Sequence, residues 1–144
     1  MQKICFVCTG NTCRSPVAEK LLNYYFKKAN ITQIKVCSCG LNVNKGEDIN
    51  PLSVLALKDY KIRVKSRKAK QLTKSTLKNC NLFITMTREQ KNFFPKDVTV
   101  FSFGEMVGGE DIIDPYGGDE QDYKNMAKQI DGYCQILAQK LTKK

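Results

Sequence analysis

Along the 144 residues the spacing of apolar positions switches repeatedly between two periods. Short β-rich runs at Lys3 to Val7, Ile34 to Ser38, Leu82 to Met86 and Val98 to Phe101 read as strands. In between, Ala18, Leu21, Leu22, Tyr25 and Ala29 recur at helical spacing within a helix predicted over Pro16 to Ala29. Further helices are predicted for Pro51 to Tyr60, Arg88 to Phe93 and Asp122 to Leu141. The last presents Met126, Ile130, Tyr133, Leu137 and Leu141 as its apolar face. Strands alternating with helices predict an α/β fold, a doubly wound parallel sheet with helices on both faces. Such sheets bind ligands at the carboxyl ends of their strands, which points to the loop after the first strand.

That loop carries the densest chemistry in the chain. Cys8-Thr9-Gly10-Asn11-Thr12-Cys13-Arg14-Ser15 sets a thiol and a guanidinium six positions apart between an apolar strand and a helix. In this layout the backbone N–H groups of Thr9, Gly10, Asn11, Thr12 and Cys13 curl around a tetrahedral oxyanion, and the helix N-terminus adds positive charge. A free thiol titrates near pH ~8.5, but beside a cation at a helix N-terminus it falls, so Cys8 is expected as a thiolate nucleophile. Arg14 offers a planar fork for two phosphoryl oxygens, which a lysine would not. Gly10 is expected to provide backbone freedom and close approach, and Asn11 a left-handed conformation. Ser15 is expected as N-cap with Pro16 at the first helical position, its hydroxyl also able to donate to Cys8. A Cys-x5-Arg pair alone is a weak pattern, because a cysteine after a strand is usually a small core residue. The strand, the glycine turn and the helical period around it supply the specificity.

The run Val7 to Pro16, followed by Ala18-Glu19, resembles the signature of the low-molecular-weight protein tyrosine phosphatases. Asp114-Pro115-Tyr116-Gly117-Gly118 is similar to the loop that supplies that family's general acid. The resemblance covers essentially the whole chain. It implies a flavodoxin-like four-stranded sheet in the order 2-1-3-4, hydrolysis through a phosphocysteine, and Cys8, Arg14 and Asp114 as the catalytic set. The chemistry agrees: sulfur attacking phosphorus needs a proton delivered to the leaving group, and the same carboxylate can later activate water. In the resembled family the second loop cysteine pairs reversibly with the nucleophile, which makes Cys13 the redox partner of Cys8.

Specificity is read from departures within the motifs. Tyrosine-selective members commonly have an aliphatic residue where Thr12 stands and two aromatics after the Asp-Pro, whereas this chain has Tyr116 and then Gly117. Those departures resemble the bacterial protein arginine phosphatase branch. A hydroxyl accepts a hydrogen bond from a guanidinium, and a missing aromatic weakens the clamp on a phenyl ring. The stretch Leu41 to Gly46 adds no aromatic wall. Phosphoarginine is therefore favoured, with phosphotyrosine the alternative. Arsenate reduction needs two further cysteines beyond the third strand, and Leu82 to Thr87 has none. A non-catalytic phosphopeptide-binding module is disfavoured by the intact Cys8, Arg14 and Asp114.

Composition narrows the picture further. With 42% hydrophobic residues and no linker, repeat or low-complexity stretch, residues 1–144 read as a single phosphatase domain. No apolar run approaches the roughly 20 residues of a membrane span. The apolar opening leads into the Cys8 motif rather than to a cleavage site, and a cytoplasmic protein is expected. A net charge of +10 arises from 24 basic and 14 acidic side chains, concentrated in Lys58 to Lys78 and Lys140 to Lys144. Without interleaved aromatics this reads as a solvated surface that attracts phosphorylated protein substrates, not as a nucleic-acid site. Inorganic phosphate or a similar oxyanion is the expected small ligand.

Seven cysteines, an odd number at irregular spacing, argue for free thiols in a reducing compartment. Cys5, Cys37, Cys39, Cys80 and Cys134 are expected in or near the core. Cys5-x-x-Cys8 has no second pair, so no metal set and no cofactor is expected. There is no histidine. Family members often use one, in the stretch matching Ile62 to Thr73, to brace the loop asparagine. Here that stretch provides only Arg63, Lys65, Ser66, Arg67, Lys68 and Lys70, with Ser38 a possible partner of Asn11.

Overall fold

The computed structural model describes residues 2–142; Lys143 and Lys144 of the C-terminal lysine run lie outside them. Four strands, β1 (Gln2–Cys8), β2 (Ile34–Gly40), β3 (Leu82–Thr85) and β4 (Val100–Ser102), form one parallel sheet in the order β2-β1-β3-β4. The helices are α1 (Arg14–Lys28), α2 (Pro51–Lys58), α3 (Lys74–Asn79), α4 (Phe103–Val107) and α5 (Glu120–Thr142). This is the doubly wound sheet and strand order expected from the sequence. No helix among the described residues is long and apolar enough to cross a membrane.

Alternation along β1 builds two cores of unequal size. Ile4, Phe6 and Cys8 join the larger one beneath α1 and α5, with Leu21, Leu22, Phe26, Met126, Ile130 and Leu137 fully or almost fully buried. On α1 the apolar face includes Phe26 instead of Ala29, which is exposed because it lies past the last turn. Cys5 and Val7 face the other way, into a smaller cluster with Cys39 and Phe83. Leu41, Leu72, the short α3 and residues around Phe94 and Val98 cover that side.

Several boundaries differ from the sequence reading. β4 starts two residues later than expected, pairing Phe83, Ile84 and Thr85 with Val100, Phe101 and Ser102. The segment expected as a helix at Arg88 to Phe93 is a 3-10 turn over Glu89–Phe93, too short for an α-helical nucleus to hold. α3 and α4 were not foreseen. Both are capped: Thr73 Oγ1 accepts from Thr76 N at 3.2 Å, and Ser102 and Glu105 form a reciprocal capping box.

Cys5, Cys37, Cys39, Cys80 and Cys134 lie in or against the two cores, as expected. Three of them also converge: Cys5, Cys37 and Cys80 bring their sulfur atoms within 4.8 Å of one another. Strand register does this. Cys5 lies directly opposite Cys37 across the β1–β2 pair, and Cys80 ends α3 just before β3, the other neighbour of β1.

Candidate active site

Because β1 is an inner strand, its carboxyl end opens between two neighbours, and residues 9–13 bridge from there to α1. The carbonyls of the loop are held from outside: Leu41 N donates to Cys8 O at 2.9 Å, Asn42 N to Thr9 O at 2.9 Å, and Asn50 N to Thr12 O at 3.0 Å. The N–H groups of residues 10–13 find no backbone acceptor among the described residues. Together with the start of the 15-residue α1 they form a donor-rich concavity suited to an anion.

Cys8 lies deep, 2% exposed, with Ser15 Oγ 2.9 Å from its Sγ. Ser15 is not the N-cap. The helix begins at Arg14, two residues before the expected first helical residue Pro16, after a Cys13 N-cap that makes no side-chain cap bond. The Ser15 hydroxyl instead receives Asn11 Nδ2 at 2.8 Å, which leaves its own proton for the Cys8 sulfur. Asn11 adopts the expected left-handed conformation, φ 57°. Gly10 does not match its expectation: its φ is not left-handed, and an added Cβ would meet only Thr12 Oγ1 at 3.9 Å. Close approach belongs to Gly40, where a Cβ would sit 2.7 Å from Thr9 O and 2.6 Å from Val43 Cγ2. A side chain there would push the loop off β2.

Arg14 is almost completely buried; Nη1 donates to Ile112 O at 3.3 Å, and Nη2 lies 3.6 Å from Asp114 Oδ2. Asp114 is half exposed on a turn in which its Oδ1 accepts from Tyr116 N at 3.1 Å, Gly118 N reaches Pro115 O at 2.8 Å, and Gly117 has φ +80°. The sequence-distant Asp114 and Tyr116 thus meet residues 8–14 around one cavity of about 270 Å³, which Asn42, Asn44 and Glu47 also line. The match to known proteins decides the family. The model of the low molecular weight phosphotyrosine protein phosphatases matches residues 3–144. The chain belongs to this family.

Two sequence relatives and one solved structure place it further. It is 31% identical to a protein-arginine-phosphatase of Bacillus subtilis over 97% of both chains. It is 32% identical to the low molecular weight protein-tyrosine-phosphatase PtpB of Staphylococcus haemolyticus, covering 89% of this chain and 91% of that one. A YwlE arginine phosphatase, solved as a cysteine-to-serine mutant with its active-site serine phosphorylated, superposes with a TM-score of 0.91 at 30% identity, covering 99% of this chain and 97% of that chain.

For a phosphatase of this family without histidine, the loop is braced by Arg67. Its Nη1 donates to Asn11 Oδ1 at 2.8 Å, and its Nη2 to Ser38 O and Glu19 Oε1, both at 3.1 Å. Asn11 Oδ1 also accepts from Lys70 N at 2.9 Å, while its Nδ2 donates to Ser38 Oγ at 3.1 Å, the partner suggested by the sequence. Ser38 Oγ in turn donates to Glu19 Oε1 at 2.6 Å. Of the basic stretch read as solvated surface, Arg67 is therefore interior, its side chain only 8% exposed. Glu19 had a legible signal, since it lies four residues after Ser15 on the same face of α1. Two more supports were missed. Gln90 Oε1 accepts from Met86 N and Thr87 N at 2.9 and 3.1 Å, and its Nε2 reaches Thr9 Oγ1 at 3.4 Å. The Tyr123 hydroxyl lies 3.4 Å from Cys13 Sγ.

Removing the Arg67 guanidinium leaves the Glu19 carboxylate without its closest cation and lets Asn11 rotate. Arg67→Ala should lower stability by about 3 kcal/mol and kcat by about a hundred-fold through displacement of the loop. Urea unfolding and steady-state kinetics measure the two separately. An unchanged kcat in the folded variant would remove Arg67 from loop positioning.

Proposed function

We propose that this chain is a protein phosphatase acting as one domain on phosphoarginine side chains of cytoplasmic proteins. The observation that carries the arginine preference is Thr12 in the pocket wall, 7% exposed, with the Glu47 carboxylate lining the same cavity. A guanidinium brings several N–H donors that need acceptors, and these two groups provide them. The aromatic Tyr116 is 78% exposed, and the segment from Leu41 to Gly46 adds no ring, so a phenyl group would gain little packing. The names carried by the sequence relatives include both activities. Tyr116 favours phosphotyrosine as the second reading.

In the proposed reaction the Cys8 thiolate attacks phosphorus. The phosphorus–nitrogen bond breaks, and the departing guanidine nitrogen takes a proton from Asp114. The backbone donors of Thr9, Gly10, Asn11, Thr12 and Cys13 and the Arg14 fork hold the phosphoryl oxygens. Ser15 supports the thiolate before attack and again as it leaves. Water then attacks the phosphocysteine, Asp114 takes its proton, the S–P bond breaks, and inorganic phosphate leaves the loop. The test is kcat/KM on matched phosphoarginine and phosphotyrosine peptides. Wild type should prefer phosphoarginine, and Thr12→Ile should shift the ratio toward phosphotyrosine by about 10–100-fold. A wild-type preference for phosphotyrosine refutes the arginine reading.

Cys13 fits a protective role. Burial pushes its pKa up, against a counteracting hydrogen bond from Tyr123, so it stays a thiol when Cys8 is ionised. Peroxide converts the Cys8 thiolate to a sulfenic acid; the Cys13 sulfur attacks it, an S–S bond forms and water leaves. Activity lost to peroxide should return with dithiothreitol in the wild type and stay lost in Cys13→Ser. Equal recovery by both would remove Cys13 from this role.

A further inference from the structure

The smaller core holds a group of thiols that the phosphatase chemistry does not use. Cys5 and Val7 point to the face of β1 opposite Cys8, and β2 sets Cys37 and Cys39 on that same side. Cys5 is fully buried, whereas Cys37 and Cys80 are half-buried and line a shallow cleft of about 180 Å³ together with Lys3 and Lys70. The Cys37 and Cys80 sulfurs are 3.9 Å apart, and Cys5 Sγ sits 3.4 Å from Cys39 Sγ. Metal–thiolate bonds of about 2.3 Å in a tetrahedral site place neighbouring sulfurs about 3.8 Å apart. The three sulfurs of Cys5, Cys37 and Cys80, within 4.8 Å of one another, therefore need only small rotations to share an ion.

We propose that Cys5, Cys37 and Cys80 form a trithiolate site for a thiophilic d10 cation, Zn²⁺ or Cu(I), separate from the active site. Thiolate-only ligation selects ions of this class over Mg²⁺ or Ca²⁺. Three ligands leave one position open toward the cleft, to be filled by water on zinc and left empty on trigonal copper. The thiol protons are released to solvent as the ion binds. Lys3 and Lys70 line the same cleft, and their ammonium groups offset the negative charge that three thiolates leave on either ion. Cys39 remains against Cys5 as an inner neighbour.

The ligands come from three separated segments, so the ion would tie the α3–β3 connection to β1 and β2. The measurement uses the full chain, reduced and stripped of metal, titrated with Zn²⁺ and, anaerobically, with Cu(I) against chromophoric chelators. One equivalent of at least one ion should bind with submicromolar affinity. Cys37→Ser and Cys80→Ser should each weaken binding by more than the roughly 10–100-fold that a mere supporting residue commands. Cys8→Ser and Cys134→Ser should leave it unchanged. Because Cys37 and Cys80 are half-buried and outside the phosphatase machinery, both variants should retain turnover, which shows that they fold. The ion should raise Tm in the wild type and not in Cys80→Ser. Failure of both ions to bind stoichiometrically overturns the proposal. So does binding that survives Cys80→Ser and disappears in Cys8→Ser, which would put the ion on the catalytic loop.

Discussion

Cys8→Ser should lower kcat by about 10⁵-fold or more, in the range lost when a covalent nucleophile is removed, while inorganic phosphate still binds within a few-fold of wild type. The two outcomes separate because the groups that make them differ. In the proposed mechanism oxyanion affinity comes from the loop N–H groups, the α1 N-terminus and Arg14, none of which depends on the sulfur. Turnover depends on a thiolate that attacks and then leaves. A serine hydroxyl has almost no anion at neutral pH, and as a leaving group it is far worse than a thiol. The substitution is nearly isosteric at a position 2% exposed, and Ser15 Oγ at 2.9 Å can bond to oxygen as readily as to sulfur, so the loop should keep its shape. The solved YwlE mutant with a phosphorylated active-site serine shows that in that protein the oxygen can be phosphorylated. A slow, stoichiometric phosphorylation at position 8 without turnover is the corresponding expectation here, read by intact-mass analysis. Wild-type-like turnover would refute Cys8 as the nucleophile.

Much of this site was legible because its parts are local. From Cys8 to Ser15 the chain runs through a strand end, a loop and a helix start, and period and residue type alone order these. The left-handed Asn11 followed from its side chain, and the Asp114 turn from Asp-Pro and Gly-Gly. What was not legible is set by tertiary register. Glu19 is set on the loop side of α1 by its spacing from Ser15, but nothing in the spacing of Ser38 and Arg67 says that they converge on Asn11, although the missing histidine marked the gap that a cation from the Ile62 to Thr73 stretch had to fill. The thiol cluster depends on the same information, since Cys5 meets Cys37 only if β1 and β2 pair in the observed register. Short helices failed for a different reason. α3 and α4 span six and five residues, too few for a periodic pattern, but Ser102-Phe103-Gly104-Glu105 carried a capping-box signature that marks a helix start without one. Ser15 lies two positions further into the helix than the expected N-cap. Its hydroxyl was read as a cap because serine commonly caps, whereas here the sulfur and Asn11 compete for it successfully.

Asp114→Asn should reduce kcat by about 10²–10⁴-fold on peptide substrates, the range for loss of a positioned general acid, and far less on an aryl phosphate whose phenol is strongly acidic. The difference between those substrates is the informative quantity. A departing guanidine or tyrosyl oxygen is a strong base and needs a proton as its bond to phosphorus breaks. An acidic phenol leaves without one. Asparagine keeps one side-chain oxygen, which can accept from Tyr116 N as Oδ1 does at 3.1 Å, and Gly117 keeps its φ of +80°, so the turn should survive. The amide NH2 then faces Arg14 Nη2 in place of the oxygen 3.6 Å away in the native pair, so the ion pair is lost with the proton, while the Arg14 Nη1 bond to Ile112 O at 3.3 Å and its burial still hold the guanidinium. The pH dependence supplies a second reading with a defined sign. General-acid catalysis requires a protonated group, so wild-type kcat should fall as pH rises. In Asp114→Asn that limb should be absent. If the limb persists, and the loss is the same for acidic and basic leaving groups, the proton comes from elsewhere and Asp114 serves only to place Arg14.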